Sequence, residues 1–496
     1  MNSTEDENTG TQSGASLDPG RWFWPAALPF LSGLLWLGLG WSGGLFFGVL
    51  ATLPGALLLA SGVALFLWPG DRQISHFMAF GSLLSLLLSI VVFLLVGVLA
   101  GLLFAALAVA NFLVAGYAAM HQDIPVKGVP VTARGLGMAA KVAIDEALLA
   151  YFVSSANVPT GAKVAEDVAE VQALTEVLDE NGWLENPADY HRAPDAPDKF
   201  ELQPRKASGE DFEQLIFDSG FEPVADLPGA ERWQKFSGNK KMHAWVFRHS
   251  GPPRPWLMGI HGYRMGVPLM DFSLFDVEYL HRRLGLNLIL PILPLHGPRR
   301  AYKRSGSGYL DGNIVDMLHA ETQAAWDLRR VLAWLRKEQS AHEIGVMGYS
   351  LGGYNTSLLA GLDADLQCAI AGIPLTDMAA AVWRHMPGLQ RRQIESQGLD
   401  LAQIQRALTP VSPLALSPLV PKDRRYIFAA TGDQLVPTDQ ALRLWQHWDE
   451  PECCWYQGSH LSVRREASVR RFVTSALTRS GLNESDHVAP AVASHA

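Results

Sequence analysis

Two long stretches without a single charged residue constrain the fold more than any other feature of the sequence. The first extends from Trp22 to Gly70 and the second from Phe77 to Met120. At 1.5 Å per residue, the first would form a helix about 70 Å long, more than twice the ~30 Å thickness of a bilayer's hydrocarbon core. Each stretch must therefore fold back on itself. Soluble core helices rarely run this far without charge, so the sequence predicts a membrane-spanning region.

The two stretches accommodate four transmembrane helices within residues 21–120. The polar, glycine-rich segment Gly40–Gly44 is the expected turn in the first stretch, and Gly97–Gly101 is the expected turn in the second. The polar break at Gly70–Gln73 separates the two pairs of helices. The lipid bilayer is thus the partner that the sequence predicts most directly.

The distribution of cationic residues predicts the orientation of this region. With four spans, five cationic residues fall on one side of the membrane, and the two opposite turns contain no Lys or Arg. These residues are Arg21, Arg72, Lys127, Arg134 and Lys141. Cytoplasmic loops carry the excess of Lys and Arg. We therefore expect a multi-pass protein of the cell membrane, with both termini and the C-terminal catalytic region in the cytoplasm.

The overall composition argues against several classes of protein. The 496 residues carry a formal net charge of −9, with a pI of about 5.9, which argues against general binding to nucleic acid. Three cysteines, two of them the adjacent Cys453 and Cys454, do not make a disulfide framework. No CxxC or HExxH motif indicates a zinc site, and we expect neither a metal nor a cofactor.

The remaining residues divide into tails, a connector and a second domain. Residues 1–20 and 481–496 are expected to be disordered tails. Residues 121–210 are expected to form a helical connector, with helices over Leu136–Phe152 and Ala162–Leu178. A linker rich in proline and charged residues, Asp189–Gly209, ends this connector.

Residues 211–480 alternate between short apolar strands and helices, which predicts an α/β domain with a mostly parallel sheet and helices on both faces. The predicted strands are Phe212–Phe221, Trp233–His249 with a hairpin turn at Gly238-Asn239, Pro255–Ile260, Leu286–Leu295, Ile344–Met347, Cys368–Leu375, Arg425–Thr431 and Glu452–Gln457. An amphipathic helix is expected over His319–Glu338. A helical, proline-rich insertion at 377–421 has the position of a lid.

The segment Gly348-Tyr349-Ser350-Leu351-Gly352 fits the pattern G-x-S-x-G. An apolar strand precedes it and a helix-like run follows it, which is the context in which this pattern forms a nucleophile elbow. Flanking glycines let the backbone pass close by, and the sharp turn exposes the serine hydroxyl at the C-terminal edge of the sheet. Ser350 is therefore the candidate nucleophile.

A serine nucleophile needs a general base, and the base needs an orienting carboxylate. Asp433 and His460 follow the last two predicted strands, in the order serine, acid, histidine that this elbow requires. Both lie on loops at one edge of the sheet, so they are expected to meet over Ser350. Asp377, which follows the preceding strand, is the alternative acid.

Two backbone N–H groups are expected to form the oxyanion hole. The Leu351 N–H stands at the start of a helix, whose dipole favours negative charge. The Tyr263 N–H comes from the loop after an earlier strand. His296 precedes Ser350 and is expected to shape the pocket rather than act as the base. Arg299 and Arg300 are expected to be solvated, and the alternative is contact with an anionic head group or a carboxylate.

These motifs resemble those of the α/β-hydrolase superfamily over residues 211–480. The resemblance rests on His261-Gly262-Tyr263, Gly348–Gly353, Gly432–Pro437 and Gly458-Ser459-His460. It implies an α/β-hydrolase fold and a serine hydrolase in which Ser350, Asp433 and His460 are nucleophile, acid and base. Tyr263 stands where many lipases continue the glycines, so the oxyanion loop departs from the usual lipase pattern.

The sequence motifs are compatible with several activities. The leading hypothesis is a membrane-anchored serine hydrolase that cleaves a carboxylic ester or thioester, including lipid-derived ones, without a cofactor. The same triad would serve a peptidase or an acyltransferase, because a fold does not fix a function. A non-catalytic membrane scaffold that retains the fold is the hypothesis from another class.

Overall fold

The computed structural model describes residues 19–68, 71–155 and 161–483, and the chain forms two compact units. The first unit comprises the residues up to 124 together with 135–151, and the second comprises 125–134 and the residues from 152 onward. The predicted connector, residues 121–210, is therefore divided between the two units. The predicted tails lie outside the described residues, except for residues 19–20 and 481–483.

Among the described residues, five helices form the helical unit, and the last turn of the fifth belongs to the second unit. They are α1 (Pro19–Ser42), α2 (Leu45–Leu67), α3 (Gln73–Leu95), α4 (Val98–Gln122) and α5 (Leu136–Ser155). Gly44 and Gly97, in the turns that follow α1 and α3, have positive φ angles of 90° and 134°. Among the described residues, α2, α3 and α4 are long and apolar enough to cross a membrane, which is consistent with membrane association. The fourth predicted span, α1, stays a prediction.

Small residues let the helices of this unit approach closely. A Cβ atom on Gly33 would lie 2.4 Å from the Leu59 nitrogen, and one on Gly116 would lie 1.9 Å from the Ala139 carbonyl oxygen. Such backbone proximity is typical of helices that associate in membranes. It packs α1 against α2, and α4 against α5.

The second unit is built on a nine-stranded sheet. Its strands are β1 (Phe200–Ala207), β2 (Glu210–Asp218), β3 (Lys241–Phe247), β4 (Trp256–Ile260), β5 (Asn287–Pro291), β6 (Ile344–Tyr349), β7 (Cys368–Gly372), β8 (Arg425–Ala430) and β9 (Glu452–Tyr456). Their order across the sheet is β1-β2-β3-β5-β4-β6-β7-β8-β9. Strands β4 to β9 are parallel, whereas β1, β2 and β3 are joined by antiparallel pairings. This is the α/β-hydrolase fold that the sequence predicts.

Helices enclose the sheet. They are α6 (Ala162–Glu180), α7 (Ala230–Gln234), α8 (Pro268–Leu274), α9 (Ile314–Glu338), α10 (Leu351–Ala360), α11 (Met378–His385), α12 (Gly388–Ser396), α13 (Leu401–Ala407), α14 (Thr438–His447) and α15 (Ala467–Arg479). Successive side chains of a strand enter different hydrophobic cores: Met258 lies in one and Leu257 in the other. Strands that are apolar on both sides are expected where helices cover both faces of a parallel sheet.

Two expectations for this unit are wrong. The predicted hairpin Trp233–His249 begins inside α7 and continues as a 3-10 helix over Ser237–Lys240, so only Lys241–Phe247 forms a strand. The predicted linker Asp189–Gly209 contains β1, which pairs with β2 along its whole length. Because β1 is an edge strand, it tolerates polar side chains and Pro204, which made it resemble a loop in the sequence.

Arg299, which was expected to be solvated, is fully buried. Its Nη2 atom donates to Asp327 Oδ2 at 2.6 Å, and its Nη1 atom donates to the Ile292 carbonyl oxygen at 2.8 Å. The ion pair joins the loop after β5 to helix α9. Arg300 is exposed, in agreement with the expectation.

Replacing Arg299 by Met is expected to destabilise the second unit strongly. Removing one partner of a buried ion pair leaves the other charge uncompensated, at a cost of about 3–5 kcal/mol. The unfolding temperature of the full chain in detergent, followed by intrinsic fluorescence, should fall. Arg300→Met, which removes an exposed cation from the next position, is the matched control. Equal unfolding temperatures for the two variants would contradict this account.

Candidate active site

The predicted nucleophile lies in a strained turn between a strand and a helix. Strand β6 ends at Tyr349 and helix α10 begins at Leu351. Ser350 between them has a φ angle of 58° and a ψ angle of −116°, a backbone conformation that is uncommon for a residue with a side chain. Its N–H donates to the Gly372 carbonyl oxygen at 2.9 Å, which holds the turn against β7.

The two glycines of the G-x-S-x-G motif are required by close backbone contacts. A Cβ atom on Gly352 would lie 1.8 Å from the Ile260 carbonyl oxygen, and one on Gly348 would lie 2.0 Å from the Gly352 carbonyl oxygen. Neither contact leaves room for a side chain. The first contact seats the start of α10 directly against the end of β4.

The predicted acid and base meet. Asp433 follows β8 and His460 follows β9, and both side chains are buried. His460 Nδ1 lies 2.6 Å from Asp433 Oδ2, while Asp433 Oδ1 accepts from the Val436 N–H at 2.8 Å. Because a carboxylate can only accept, Nδ1 is the ring nitrogen that carries the proton. A histidine held in this way directs Nε2 away from the acid, as a general base for Ser350 requires.

The alternative acid, Asp377, has other partners. Its Oδ1 atom accepts from the Ala380 N–H at 2.9 Å and so caps helix α11. Its Oδ2 atom accepts from Gln405 Nε2 at 2.5 Å and from Arg443 Nη1 at 3.0 Å. These contacts occupy both carboxylate oxygens, so the structure favours Asp433 as the partner of His460.

The predicted oxyanion loop lies beside the nucleophile. A Cβ atom on Gly262 would be 3.6 Å from Ser350 Cβ. Among the contacts found in the described part of the chain, neither the Tyr263 N–H nor the Leu351 N–H donates to a protein acceptor. The assignment of these two N–H groups to an oxyanion hole stays a prediction.

Two buried histidines hold this loop in place. His261 Nε2 accepts from the Leu293 N–H at 3.1 Å, so its Nδ1 donates to the Gly262 carbonyl oxygen at 2.8 Å. His296 Nε2 accepts from the Arg264 N–H at 3.2 Å, and its Nδ1 donates to the Pro294 carbonyl oxygen at 2.8 Å. Burial lowers the pKa of both imidazoles and keeps them neutral. His296 thus holds the loop that carries Arg264, and its role in shaping a pocket stays a prediction.

A segment that sequence reasoning missed crosses the acid and base loops. We call residues 125–134 the strap. Thr132 Oγ1 donates to the Thr431 carbonyl oxygen at 2.6 Å, and the Ala133 N–H donates to Gln457 Oε1 at 2.8 Å. Gln457 Nε2 in turn donates to the Val131 carbonyl oxygen at 3.2 Å. Thr431 and Gln457 stand two and three residues before Asp433 and His460, so the strap braces the approach to both.

Helix α9 places a carboxyl group behind the nucleophile helix. Glu321 is fully buried and lies beside the side chains of Tyr309 and Asn355, the latter on α10. Burial raises the pKa of Glu321 to about 8, because the charged form loses its hydration. This carboxyl group is therefore protonated at neutral pH. No motif in the sequence indicated it.

Two proteins of Mycobacterium tuberculosis are similar to this chain over most of its length. They are "Uncharacterized protein MT2702" of strain CDC 1551 / Oshkosh and "Uncharacterized protein Rv2627c" of strain ATCC 25618 / H37Rv. Each is 37% identical over 355 residues, which is 71% of this chain and 85% of the relative. The chain belongs to their family.

A family model described as X-Pro dipeptidyl-peptidase (S15 family) matches residues 301–490. This range contains Ser350, Asp433 and His460 and leaves the oxyanion loop outside. Together with the fold, the match makes the chain a serine hydrolase of the α/β-hydrolase type. A solved structure, acetyl xylan esterase 1 from Thermoanaerobacterium sp. JW/SL YS485, is 15% identical and covers 61% of this chain and 93% of its own, with a TM-score of 0.43.

Glu321 gives the stability of the second unit a specific pH dependence. Between about pH 4.5 and pH 8 the folded state binds a proton at Glu321 that the unfolded state has released, so stability falls as the pH rises through this window. Glu321→Gln should remove this slope. Its stability relative to the wild type should increase with pH, by up to about 5 kcal/mol at 1.36 kcal/mol per pKa unit.

Denaturant unfolding of the full chain at a series of pH values measures this effect. Glu338→Gln is the matched control, because Glu338 is the exposed last residue of the same helix. A slope that is the same in wild type and Glu321→Gln would show that Glu321 is ionised in the folded state.

Proposed function

We propose that this protein is a membrane-anchored serine hydrolase that cleaves a carboxylic ester or thioester, including lipid-derived ones, through Ser350, His460 and Asp433. The observation that carries the proposal is the contact of 2.6 Å between His460 Nδ1 and Asp433 Oδ2. It occurs between loops that follow two parallel strands, at the same edge of the sheet as the Ser350 turn. Ligands of such sheets bind at this edge.

The proposed reaction uses only groups of this chain and water. Ser350 Oγ attacks the carbonyl carbon while His460 accepts the hydroxyl proton, and Asp433 stabilises the imidazolium that forms. The Tyr263 and Leu351 N–H groups bind the oxyanion. Collapse of the tetrahedral intermediate expels the alcohol or thiol, which takes the proton from His460. Water, deprotonated by His460, then releases the acid from Ser350.

A peptidase is the second candidate function. It is favoured by the match of residues 301–490 to a family model described as X-Pro dipeptidyl-peptidase. The chemistry would differ only in the leaving group, an amine that must receive a proton from His460. An acyltransferase would differ only in the acceptor of the acyl group, and a scaffold would not use the triad at all.

Replacement of the triad should abolish labelling and turnover. Ser350→Ala should lose covalent labelling by a fluorophosphonate because the nucleophilic oxygen is absent. Asp433→Asn should lower kcat by about 10⁴-fold, because the amide favours the wrong tautomer of the base. Turnover of ester, thioester and Xaa-Pro amide substrates would be measured side by side. Their relative kcat/KM values separate an esterase from a peptidase.

Asp377→Asn is the matched control, since this acid caps α11 and should affect stability more than kcat. Labelling that persists in Ser350→Ala would refute the assignment of the nucleophile. An Asp377→Asn variant with the larger loss of kcat would move the role of the acid to Asp377. Absence of labelling in the folded wild type would favour the scaffold.

We further propose that the catalytic unit faces the cytoplasm. A reporter that is active only in the cytoplasm should be active when fused after Ala496, because the cationic residues near the apolar helices stand on the predicted cytoplasmic side. Alkaline phosphatase, which is active only outside, should be active when inserted at Gly43 in the opposite turn. The reverse pattern of reporter activity would show that the catalytic unit lies outside the cytoplasm.

A further inference from the structure

Three buried polar side chains meet behind the nucleophile helix. Glu321 on α9, Tyr309 in the loop before α9 and Asn355 on α10 are fully buried, and they lie close enough to act on one another. In the described part of the chain, neither Glu321 oxygen, nor the Tyr309 hydroxyl, nor Asn355 Oδ1 forms a hydrogen bond of standard geometry. Buried polar groups rarely remain unpaired. These three side chains are therefore the partners available to one another.

The hydrogen-bonding capacity of this cluster suits a protonated carboxyl group. Asn355 Nδ2 donates one hydrogen to the Leu351 carbonyl oxygen at 3.1 Å, which leaves its second hydrogen and the Tyr309 hydroxyl as donors. A protonated Glu321 adds a third donor and keeps an acceptor, so it can bond to both neighbours without placing a charge in the core. An ionised Glu321 has lost that donor and carries a buried charge, which is costly.

On one side, the cluster holds the first residue of the nucleophile helix. The Asn355 amide that faces Glu321 is the group that donates to the Leu351 carbonyl oxygen. Leu351 directly follows Ser350, and its N–H is one of the two predicted oxyanion donors. The position of the Asn355 amide thus bears on the position of this donor.

On the other side, the cluster supports the predicted oxyanion loop. The Tyr309 ring packs edge-on against the His296 ring, with 5.3 Å between the ring centroids. His296 Nε2 accepts from the Arg264 N–H at 3.2 Å, and the His296 ring also packs edge-on against the Tyr263 ring at 6.1 Å. Tyr309 therefore stands behind the histidine that holds the loop of the second predicted donor.

We propose that Glu321 is a positioning residue for the oxyanion hole. Its protonated carboxyl group bridges Asn355 and Tyr309, and this bridge fixes the distance between the two predicted oxyanion donors. The proposal rests on the proposed function and adds a residue to it. Glu321 acts on the reacting atoms only through its neighbours. Because oxyanion donors stabilise the transition state rather than the bound substrate, the bridge affects kcat more than KM.

The groups that face Glu321 carry no charge at neutral pH. Tyr309 and Asn355 act on its carboxyl group, and Glu321 acts in turn on Tyr354 of α10. Burial raises the pKa of both tyrosines well above the usual range, so both stay neutral. Ionisation of Glu321 itself, whose pKa is about 8, is thus the titration that disrupts the bridge.

Substitution of Glu321 tests the bridge through kcat for p-nitrophenyl acetate, measured on the full chain. Glu321→Leu removes the bridge and should lower kcat at least about tenfold with a smaller change in KM, because a displacement of about 1 Å costs up to about 10²-fold. Glu321→Gln retains a donor and an acceptor, as the protonated acid does, and should keep kcat near the wild-type value at pH 7. Tyr309→Phe, which keeps the ring against His296, should lower kcat in the same direction.

Gln323→Leu is the matched control, because Gln323 is a buried polar residue of the same helix whose partners are Trp233, Ser219 and Asn239. It should lower the unfolding temperature but leave kcat unchanged. A kcat of Glu321→Leu that equals that of the control would overturn the proposal. If Glu321→Leu does not fold, Tyr309→Phe and the pH profile of Glu321→Gln decide instead.

The pH profile of kcat is the readout that a purely structural role would not change. With a pKa of about 8, roughly nine tenths of the Glu321 carboxyl groups are ionised at pH 9, so the wild-type kcat should fall at least about fivefold between pH 7 and pH 9. Deprotonation of His460 cannot cause this fall, since a general base gains activity with pH. Glu321→Gln should show no fall. Intrinsic fluorescence at each pH confirms that the protein is folded, and identical profiles for the two proteins would contradict the proposal.

Infrared spectroscopy tests the bridge without reference to catalysis. The difference spectrum between wild type and Glu321→Gln at pH 7 should contain the C=O stretching band of a protonated carboxylic acid, and this band should disappear above pH 9. Tyr309→Phe should shift its frequency, because the carboxyl group loses a hydrogen-bond partner. Absence of the band, or a frequency that does not change in Tyr309→Phe, would refute the bridge.

The two proposals fail in different ways. A folded wild type that does not hydrolyse p-nitrophenyl acetate and is not labelled at Ser350 refutes the proposed function, while the infrared band still decides whether the bridge exists. An active wild type whose kcat does not respond to Glu321→Leu or to pH refutes only the positioning role of Glu321.

Discussion

The backbone contact between Gly352 and the Ile260 carbonyl oxygen is the constraint on which the rest of the second unit depends. Because no side chain fits between them, the start of α10 can lie directly against the end of β4. Near this contact, a Cβ atom on Gly262 would lie 3.6 Å from Ser350 Cβ, so the nucleophile turn and the predicted oxyanion loop are neighbours. The strained φ angle of Ser350 persists because these contacts over-determine it.

Features that depend on neighbouring residues could be predicted from the sequence, and features that depend on distant partners could not. The strand, turn and helix around Ser350 are encoded within about fifteen residues, and the strands before Asp433 and His460 are short apolar runs with loops at their ends. The sequence therefore predicted that these residues lie at one edge of a parallel sheet. It did not predict the burial of Arg299, because Asp327, whose carboxylate compensates the buried charge, stands 28 positions later in the sequence, on α9.

The helical unit also contains contacts between residues far apart in the sequence, which the sequence did not predict. Its two apolar stretches contain no acidic or basic residue, which is why they predict a membrane region so clearly. The structure nevertheless brings a carboxylate to them, since α5 packs against α4 and places Glu146 Oε2 2.6 Å from His76 Nδ1 on α3. Both side chains are buried. A second polar contact, from Asn111 Nδ2 to Ser32 Oγ at 2.8 Å, joins α4 to α1. Such contacts between helices fix their register where apolar packing alone does not.

The strap, residues 125–134, is the chain segment between helices α4 and α5. Its ends continue into α4 and α5, while its middle is hydrogen-bonded to Thr431 and Gln457. Each of these bonds contributes on the order of 1 kcal/mol, and both act on residues that lead directly into the acid and base loops. The three proposed triad residues lie on three separate loops, and two of those loops are held by a segment about 300 positions earlier in the chain. The loops that carry Asp433 and His460 are thus braced by residues far from them in the sequence, although the motifs that predict the site lie between residues 261 and 460.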